Sequence, residues 1–335
     1  MSTAIAQARH IFGLRAGVTG NIAYHDEQTI VYPSGANCIL YNIDQKSQKF
    51  IPGSEKSEGM TAMAVSPNRR YVAIAEKGEK ATITIYDLHS LRKRKILSSP
   101  EVQSNEYKSL AFSPDSKYLV AQGGYPDWTL LYWTWEKSKV MASTKTTNPQ
   151  TNAPVYQVTF NPQDNTQLCV VGNGIFKLFR YSEGNLKQFA FQKMEPQNYL
   201  CQGWVSDERV VVGTDNGKLL LFEAGELKNE FNLAAQQKQD QEKERLAGSA
   251  SEADSSSLSS GPPQITAIVA SSKGFSCSCG PGMVFVFEKT DDKDFFKKTR
   301  EIRIPQDPNS SDPSRSEQQS IVCLAMSPSE ENLVC

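Results

Sequence analysis

Residues able to do acid–base or metal chemistry are few in this chain and lie far apart. Its three histidines, His10, His25 and His89, have neither the spacing of metal ligands nor a nucleophile motif beside them. The one close cysteine pair, Cys277 and Cys279, has no nearby histidine or second pair, whereas a structural zinc ion needs four converging ligands. We therefore predict that the chain is not an enzyme and has no catalytic, metal-binding or cofactor-binding residues and no cofactor.

A basic run, Arg92-Lys93-Arg94-Lys95, has the composition of a surface that binds acidic protein tails or a nucleic acid. The same run is also typical of a solvated outer β-strand, in which alternate side chains point to opposite faces and the local charge density is halved. We keep Arg92 and Lys93 as candidate partner-binding residues beside this second interpretation.

Tyr125, Asp127 and Trp128 form, with one proline, a second candidate site. They lie in an unusually long bend between two predicted strands, and aromatic residues on loops are common anchors of protein interfaces. We predict that these three residues bind a partner. Trp133 and Trp135 continue into a strand, where large aromatic side chains more often fill space between packed sheets.

The charge balance limits the classes of partner. The chain has 36 Lys and Arg against 37 Asp and Glu among 335 residues, so that its net charge of −1 offers no positive field to nucleic acid or an anionic membrane. The amino terminus has no apolar signal core, and no run of about twenty apolar residues is present. We predict a soluble intracellular chain whose partners are other proteins, with no nucleic acid and no membrane among them.

A repeat organises the chain. A short apolar segment ends in Ser-Pro or Asn-Pro at Pro67, Pro114, Pro162 and Pro328, and the first three markers are 47 and 48 residues apart. After these three come a polar turn, an apolar strand, a glycine-containing bend and a strand rich in β-formers. Four short strands every forty to fifty residues are typical of a propeller blade. We predict an all-β fold, a β-propeller with six full blades and an incomplete seventh.

The repeat also predicts the boundaries. Residues 1–20 form an N-terminal segment with a closing strand, and residues 21–335 form the propeller. The blades begin near residues 21, 60, 108, 155, 199, 264 and 320. Residues 234–263 are rich in Gln, Lys, Glu and Ser, a composition that buries too little apolar surface to stay ordered, and we predict a disordered insertion loop there. Because the seventh blade is unfinished, we expect a fragment or a short form of a longer protein.

The ends of the predicted third strands resemble those of the WD40 family, which end in Trp-Asp. Here an aromatic residue persists in all six, and the six ends are Tyr41-Asn42, Tyr86-Asp87, Tyr132-Trp133, Phe179-Arg180, Phe222-Glu223 and Phe287-Glu288. The acidic residue survives in three of them, and the Gly-His dipeptide of the family does not occur. The resemblance implies a WD40-type β-propeller that acts by binding other proteins.

Four stretches carry a closer resemblance: His10-Ile-Phe-Gly-Leu-Arg, Asn21-Ile-Ala-Tyr, Ala64-Val-Ser-Pro-Asn-Arg-Arg-Tyr and Leu110-Ala-Phe-Ser-Pro-Asp. Together they are similar to the N-terminal propeller of the cilia- and flagella-associated protein 57 family, in which two propellers precede a long coiled coil. The resemblance implies a scaffold of the motile cilium axoneme that helps to assemble or position inner dynein arms and so regulates ciliary beating.

The same resemblance implies axonemal dynein or regulatory-complex subunits and microtubules as partners, and the cytoplasm, cytoskeleton and axoneme as the location. A β-propeller fold by itself hosts many activities. The sequence therefore leaves an alternative open, a general cytoplasmic WD-repeat adaptor in a transport or ubiquitin-ligase complex.

Overall fold

The computed structural model describes residues 9–148, 150–189, 195–236, 262–291, 295–304 and 320–335. Within these residues the chain forms six four-stranded antiparallel sheets and one two-stranded sheet, which follow one another in chain order. The fold is a β-propeller with six full blades and an incomplete seventh, as the repeat predicts. The described residues include no helix that is long and apolar enough to cross a membrane.

The strands of each blade have the following bounds. Blade 1 has β1 (Ala23–Tyr24), β2 (Thr29–Ser34), β3 (Asn37–Asn42) and β4 (Ser47–Pro52), and blade 2 has β5 (Gly59–Val65), β6 (Tyr71–Lys77), β7 (Thr82–Asp87) and β8 (Lys93–Leu97). Blade 3 has β9 (Tyr107–Phe112), β10 (Tyr118–Gly123), β11 (Thr129–Thr134) and β12 (Lys139–Lys145), and blade 4 has β13 (Val155–Asn161), β14 (Asp164–Gly172), β15 (Ile175–Ser182) and β16 (Asn185–Gln188). Blade 5 has β17 (Tyr199–Trp204), β18 (Arg209–Thr214), β19 (Lys218–Glu223) and β20 (Glu226–Asn232), and blade 6 has β21 (Ile268–Ser271), β22 (Gly274–Ser278), β23 (Met283–Lys289) and β24 (Phe296–Arg303). Blade 7 has β25 (Ala325–Met326) and β26 (Leu333–Val334).

The first strands of the seven blades form a closed ring. Each of β1, β5, β9, β13, β17 and β21 contacts the first strand of the next blade, and β25 contacts β1. On one side of blade 7, the Ser329 hydroxyl donates a hydrogen bond to Glu27 over 2.9 Å. On the other side, Ser272 N donates to Glu330 Oε1, also over 2.9 Å. The incomplete blade therefore closes the ring through its first strand and its flanking turns.

The N-terminal segment lies against blade 1. Ile11 N donates a hydrogen bond to Gln48 Oε1 over 2.8 Å, and Gln48 Nε2 donates to Ile11 O over 3.1 Å. The closing strand expected in this segment has no counterpart among residues 9–20, which add no strand to the sheet of blade 7. Residues 1–8, and residues 237–261 of the expected insertion loop, lie outside the described part of the chain.

Adjacent blades pack face to face because their middle strands are apolar on both faces. In β6, every residue from Tyr71 to Glu76 is buried, and strands covered on both faces need such near-continuous runs. Trp133 and Trp135, each 2% exposed, lie in the cluster between blades 2 and 3. The Trp135 ring centroid is 4.9 Å from that of Tyr71, so the two tryptophans fill space between blades.

Charged pairs tie the second strand of two blades to the end of the third strand. In blade 2, Arg70 Nε lies 3.1 Å from Asp87 Oδ2. In blade 5, Arg209 Nε lies 2.7 Å from Glu223 Oε1. Asp87 and Glu223 are the acidic residues that follow the aromatic residue of the WD-type ending. In both blades, the acidic residue of the WD-type ending therefore pairs with an arginine on the neighbouring strand of the hairpin.

Blade 4 has the same pair with its charges reversed. Asp164 begins the second strand, and its Oδ2 lies 3.7 Å from the guanidinium of Arg180 near the end of the third strand. In this blade Phe179 is thus followed by the cation Arg180, because the acidic partner, Asp164, lies on the second strand. The departure of Phe179-Arg180 from the WD pattern preserves the attraction between the two strands.

Most of the cysteines lie in the core. All seven are free, and five are buried. Burial raises the pKa of the Cys279 thiol to about 12 and raises that of Cys277 well above its usual value. At neutral pH both thiols are protonated, whereas the thiolate is the form that ligates metals. The pair packs as apolar groups in the core between blades 5 and 6.

Candidate protein-interaction surfaces

The antiparallel strand order places the loops on two opposite faces of the propeller. We call the upper face the one that holds the bends between second and third strands and the links to the next blade. The lower face holds the other turns. Tyr125, Asp127 and Trp128 follow β10 on the upper face, whereas Arg92 and Lys93 lie at the lower end of β8. The predicted partner-binding residues therefore form two separate groups.

Asp127 fixes the upper-face bend of blade 3, and its side chain is only 6% exposed. The carboxylate accepts four hydrogen bonds, from Gln103 N (3.2 Å), Ser104 N (3.3 Å), Thr129 Oγ1 (2.5 Å) and Lys145 Nζ (2.9 Å). Burial by itself would raise the pKa of Asp127, but the bonds from Thr129 and Lys145 outweigh it and the pKa is lowered. Asp127 is thus ionised at neutral pH and joins the link before blade 3 to the bend within it.

Trp128 is also buried, with 5% of its surface exposed. Its indole Nε1 donates a hydrogen bond to Asn152 Oδ1 over 2.5 Å, and its backbone oxygen accepts one from Thr146 N over 3.1 Å. Its φ of +46° lies in the left-handed region, which costs a bulky residue on the order of 1–3 kcal/mol unless its surroundings hold it. The Trp128 side chain is turned into the core between blades 3 and 4 and is not accessible as a surface anchor.

Tyr125 is the exposed member of this group, at 65%. The preceding Gly124 donates its N–H to Glu106 O over 3.1 Å and accepts a hydrogen bond from Trp128 N over 3.0 Å. A Cβ on Gly124 would lie 3.2 Å from Ser104 Oγ, so the bend packs tightly against the neighbouring link. An exposed aromatic side chain on a backbone that is already ordered loses little entropy on binding. Tyr125 therefore has the properties of an interface anchor.

Arg92 and Lys93 are exposed after a rigid turn. Asp87 Oδ1 accepts hydrogen bonds from Ser90 N over 3.0 Å and His89 N over 3.1 Å. The bond from Ser90, the Arg70 guanidinium and the bond from His89 outweigh burial and lower the pKa of Asp87 to about 2. Neither Arg92 nor Lys93 forms an ion pair with a carboxylate of the described residues. Their charges are thus free to act on a partner.

The sequence does not predict two features of these surfaces. Asn152, the acceptor for Trp128, lies 24 residues away in the link to the next blade, and no residue pattern signals that contact. Ile96 is 54% exposed and directly follows the basic run. An apolar residue after four cations is visible in the sequence, but its exposure depends on which face of the strand it occupies.

No protein-family model matches the chain. Among curated proteins, mouse (Mus musculus) cilia- and flagella-associated protein 57 is 50% identical over 355 aligned residues, which cover 100% of this chain and 28% of that protein. Protein 57 C of Tetrahymena thermophila is 29% identical over 57% of this chain, and mouse cilia- and flagella-associated protein 44 is 28% identical over 66% of it. The chain spans between 12% and 28% of the length of these relatives.

Solved structures share the fold. A chain of the mitotic checkpoint complex superposes with a TM-score of 0.68 at 12% identity, covering 96% of this chain and 88% of that chain. The WD40 repeats of RRP9 superpose with a TM-score of 0.66 at 14% identity, covering 96% and 91%. These superpositions show that the chain has the WD40-type β-propeller fold, and its sequence is similar over its whole length to part of cilia- and flagella-associated protein 57.

Proposed function

We propose that this chain is a non-catalytic protein-interaction scaffold of the motile cilium axoneme, where it helps to assemble or position inner dynein arms. The observation that carries the proposal is the 50% identity over the whole chain to a protein named for its association with cilia and flagella. Relatives with the same association in their names include mouse protein 43 and Chlamydomonas reinhardtii protein 52. The role at inner dynein arms is the finer part of the proposal and rests on the family resemblance.

The geometry supports binding as the mode of action. Function on a propeller has to be argued from its surfaces, because the fold hosts many activities. The upper face presents Tyr125 on a bend that Asp127 and Trp128 hold from below. The lower end of β8 presents Arg92 and Lys93 without ion-pair partners among the described carboxylates. A rigid body with an exposed aromatic residue and free cations on separate surfaces suits a scaffold.

The location is tested in multiciliated cells that express the tagged chain. We expect the chain to remain with axonemes after detergent extraction, and we expect its depletion to lower the amount of inner-arm dynein in isolated axonemes. Quantitative mass spectrometry of the axonemes measures both. A chain found only in the cell body would favour the cytoplasmic adaptor instead. Unchanged dynein content would contradict the role at inner dynein arms.

Tyr125→Ala tests the upper-face anchor. Because an aromatic anchor that becomes buried in an interface often contributes about 2 kcal/mol, we expect the variant to bind axonemes about thirtyfold less tightly. Tyr125→Phe keeps the ring and should behave like the wild type. Phe12→Ala is the matched control, since it removes an aromatic side chain that is 89% exposed beside blade 1 and not in the bend of blade 3. Equal losses in Tyr125→Ala and Phe12→Ala would assign the effect to general surface change.

A further inference from the structure

Cations and one apolar residue lie on or directly before the outer strands of blades 1 and 2. We call this surface the basic rim, and its members are Lys49, Arg92, Lys93, Arg94, Lys95 and Ile96. All of them except Lys95 are exposed. Outer strands stand at the circumference of a propeller, so the basic rim is open to a partner that approaches from the side.

Strand register shows that residues of both blades face the space between blade 1 and blade 2. Lys93 is the cross-strand neighbour of Tyr86, and Lys49 is the cross-strand neighbour of Leu40. Cross-strand neighbours share one face of a sheet. Tyr86 and Leu40 both belong to the apolar cluster between blades 1 and 2. Lys93 and Lys49 therefore lie on the facing sides of the two blades, outside that cluster.

Ile96 adds an apolar contact to this gap. It pairs with Thr84, which lies two residues before Tyr86 and hence on the same face of β7. Ile96 is 54% exposed, whereas the next residue, Leu97, is 1% exposed on the other face. A register shift of β8 between the partners Ile85 and Tyr86 leaves Arg94 without a partner residue. The face of β8 toward blade 1 thus presents the exposed isoleucine and Lys93, whereas Lys95 pairs with Ile85 and lies on the other face.

The charges of the basic rim are not neutralised within the described structure. None of its five cations forms an ion pair with a described carboxylate. The outer strand of blade 6 is also basic, but there Glu301 lies 3.8 Å from Lys298 and 3.1 Å from Arg303. Like charges on neighbouring residues repel one another, and an anionic partner relieves that repulsion.

The backbone of β8 offers a second mode of contact. Within the described part of the chain, this strand pairs with β7 on one side only, and its other edge has backbone N–H and C=O groups without a strand partner. An extended peptide can add a strand to such an edge, and alternate side chains of the peptide then determine specificity. Nucleic acid offers phosphates to the cations but no strand for this edge, so the observations favour a peptide.

We propose that the basic rim binds an extended acidic peptide segment of a partner protein, with an apolar side chain of the peptide against Ile96. The inference names the partner chemistry for one surface of the scaffold and in that sense rests on the proposed function. The other interpretation of the same cations is that they only protect an exposed strand edge from aggregation.

The test measures binding of a fluorescein-labelled, glutamate-rich peptide containing one valine to the purified chain, by fluorescence anisotropy. We expect binding that weakens as salt is added and that is lost when the glutamates of the peptide are replaced by glutamines. Lys93→Gln with Arg94→Gln should weaken binding about tenfold. Ile96→Ala should weaken it about threefold, because part of an apolar contact is removed.

The matched control is Lys297→Gln with Arg300→Gln, which removes two exposed cations from the outer strand of blade 6. This variant has the same net charge and should bind the peptide within about twofold of the wild type. Absence of binding, or equal loss in both double variants, would overturn the inference. So would tighter binding of a single-stranded oligonucleotide at the same salt concentration.

The binding result and the ciliary result separate the two proposals. A chain that is retained on axonemes but does not bind the peptide contradicts only the basic-rim inference. A chain that binds the peptide but never enters cilia contradicts only the proposed function. Melting curves of each variant verify that the fold is intact before either result is interpreted.

Discussion

Asp127 and Trp128 are the side chains that hold Tyr125 in its exposed position. Asp127 receives hydrogen bonds from the link that precedes blade 3, and Trp128 donates one to the link that follows it. The bend is therefore fixed from both neighbouring links, and the left-handed backbone at Trp128 is maintained by those contacts. Two residues that look like binding groups in the sequence act instead as supports for the third.

Asp127→Asn should lower the free energy of unfolding by about 1–3 kcal/mol, because it removes the charge that Lys145 contacts and replaces one acceptor oxygen by a donor that faces the N–H of Gln103 or of Ser104. Urea denaturation followed by circular dichroism measures the change. The control is Asp215→Asn in the equivalent bend of blade 5, whose carboxylate accepts no hydrogen bond from the described residues. A loss of equal size in the control would contradict the role assigned to Asp127.

The same carboxylate predicts a pH dependence. The pKa of Asp127 is lowered in the folded state, so the folded state binds its proton less readily than the unfolded state does. Its contribution to stability is therefore fully present above the unfolded pKa of about 3.9 and is lost as pH falls through the lower folded value. The difference in unfolding free energy between the wild type and Asp127→Asn should be constant near neutral pH and decrease below about pH 4. A difference that instead grows on acidification would reverse the sign of the assigned shift.

The sequence predicts only in part which candidate partner-binding side chains are exposed. Tyr125 is exposed, but the burial of Trp128 depends on Asn152 and on the core of the next blade, neither of which has a sequence signature. The basic run could be located from composition alone. Composition does not show which of these residues face Lys49 across the space between blades 1 and 2. That depends on the strand register and on the register shift beside Arg94.

The bend between the second and third strands of blade 4 packs tightly against the start of the same blade. Gly172 ends β14, and a Cβ there would lie 2.3 Å from Pro154 O and 2.9 Å from Val155 Cα. Those atoms belong to the link and first strand of the same blade, so they cannot yield without moving the backbone. The bend of blade 4 thus needs glycine because a larger side chain would collide with this backbone.

Gly172→Ala should therefore lower the free energy of unfolding by about 1–3 kcal/mol through overpacking. Thermal or urea denaturation measures the loss. Gly78→Ala is the control in the corresponding bend of blade 2, where an added Cβ would approach no closer than 3.6 Å, to Lys56 O. That variant should change stability by less than about 0.5 kcal/mol. Similar losses in both variants would show that the effect does not come from contact with Pro154.

The repeat of strands was predictable because each blade carries its own turn and strand signals within 47 to 48 residues. Ser66 and Ser113 show why the marker recurs: each hydroxyl donates to a residue two positions on, Asn68 or Asp115, and accepts from the N–H of the following strand. The marker thus encodes a local turn. Ring closure was less visible because it joins residues some 300 positions apart, such as Glu27 and Ser329.

The incomplete blade 7 is the part of the ring with the shortest strands. Ala325 and Met326 pair with two residues of β26, and all four are half-buried. The middle strands of other blades are buried on both faces. Segments with few buried contacts open locally at a lower free energy than the core. The junction of blades 6, 7 and 1 is thus the place where the ring should open first.

Amide hydrogen exchange tests this order of opening. We expect residues 325 and 326 to exchange at least about a hundredfold faster than the buried residues of β6. Glu27→Gln weakens the contact with Ser329 and should speed exchange in β1 and β25 while leaving β10 unchanged. Uniform acceleration across all blades would show that the ring unfolds as one unit instead.

The reversed ion pair of blade 4 bears on how the blades sort themselves during folding. Repeats of similar length and pattern can pair with the wrong neighbour, and such misassembly is a characteristic failure of repeat proteins. In blade 2 the third strand ends with Asp87, whereas in blade 4 the second strand begins with Asp164. A non-native hairpin between these two strands would bring two carboxylates together where the native blades have attraction. The reversed pair of blade 4 therefore disfavours an exchange of strands between blades 2 and 4.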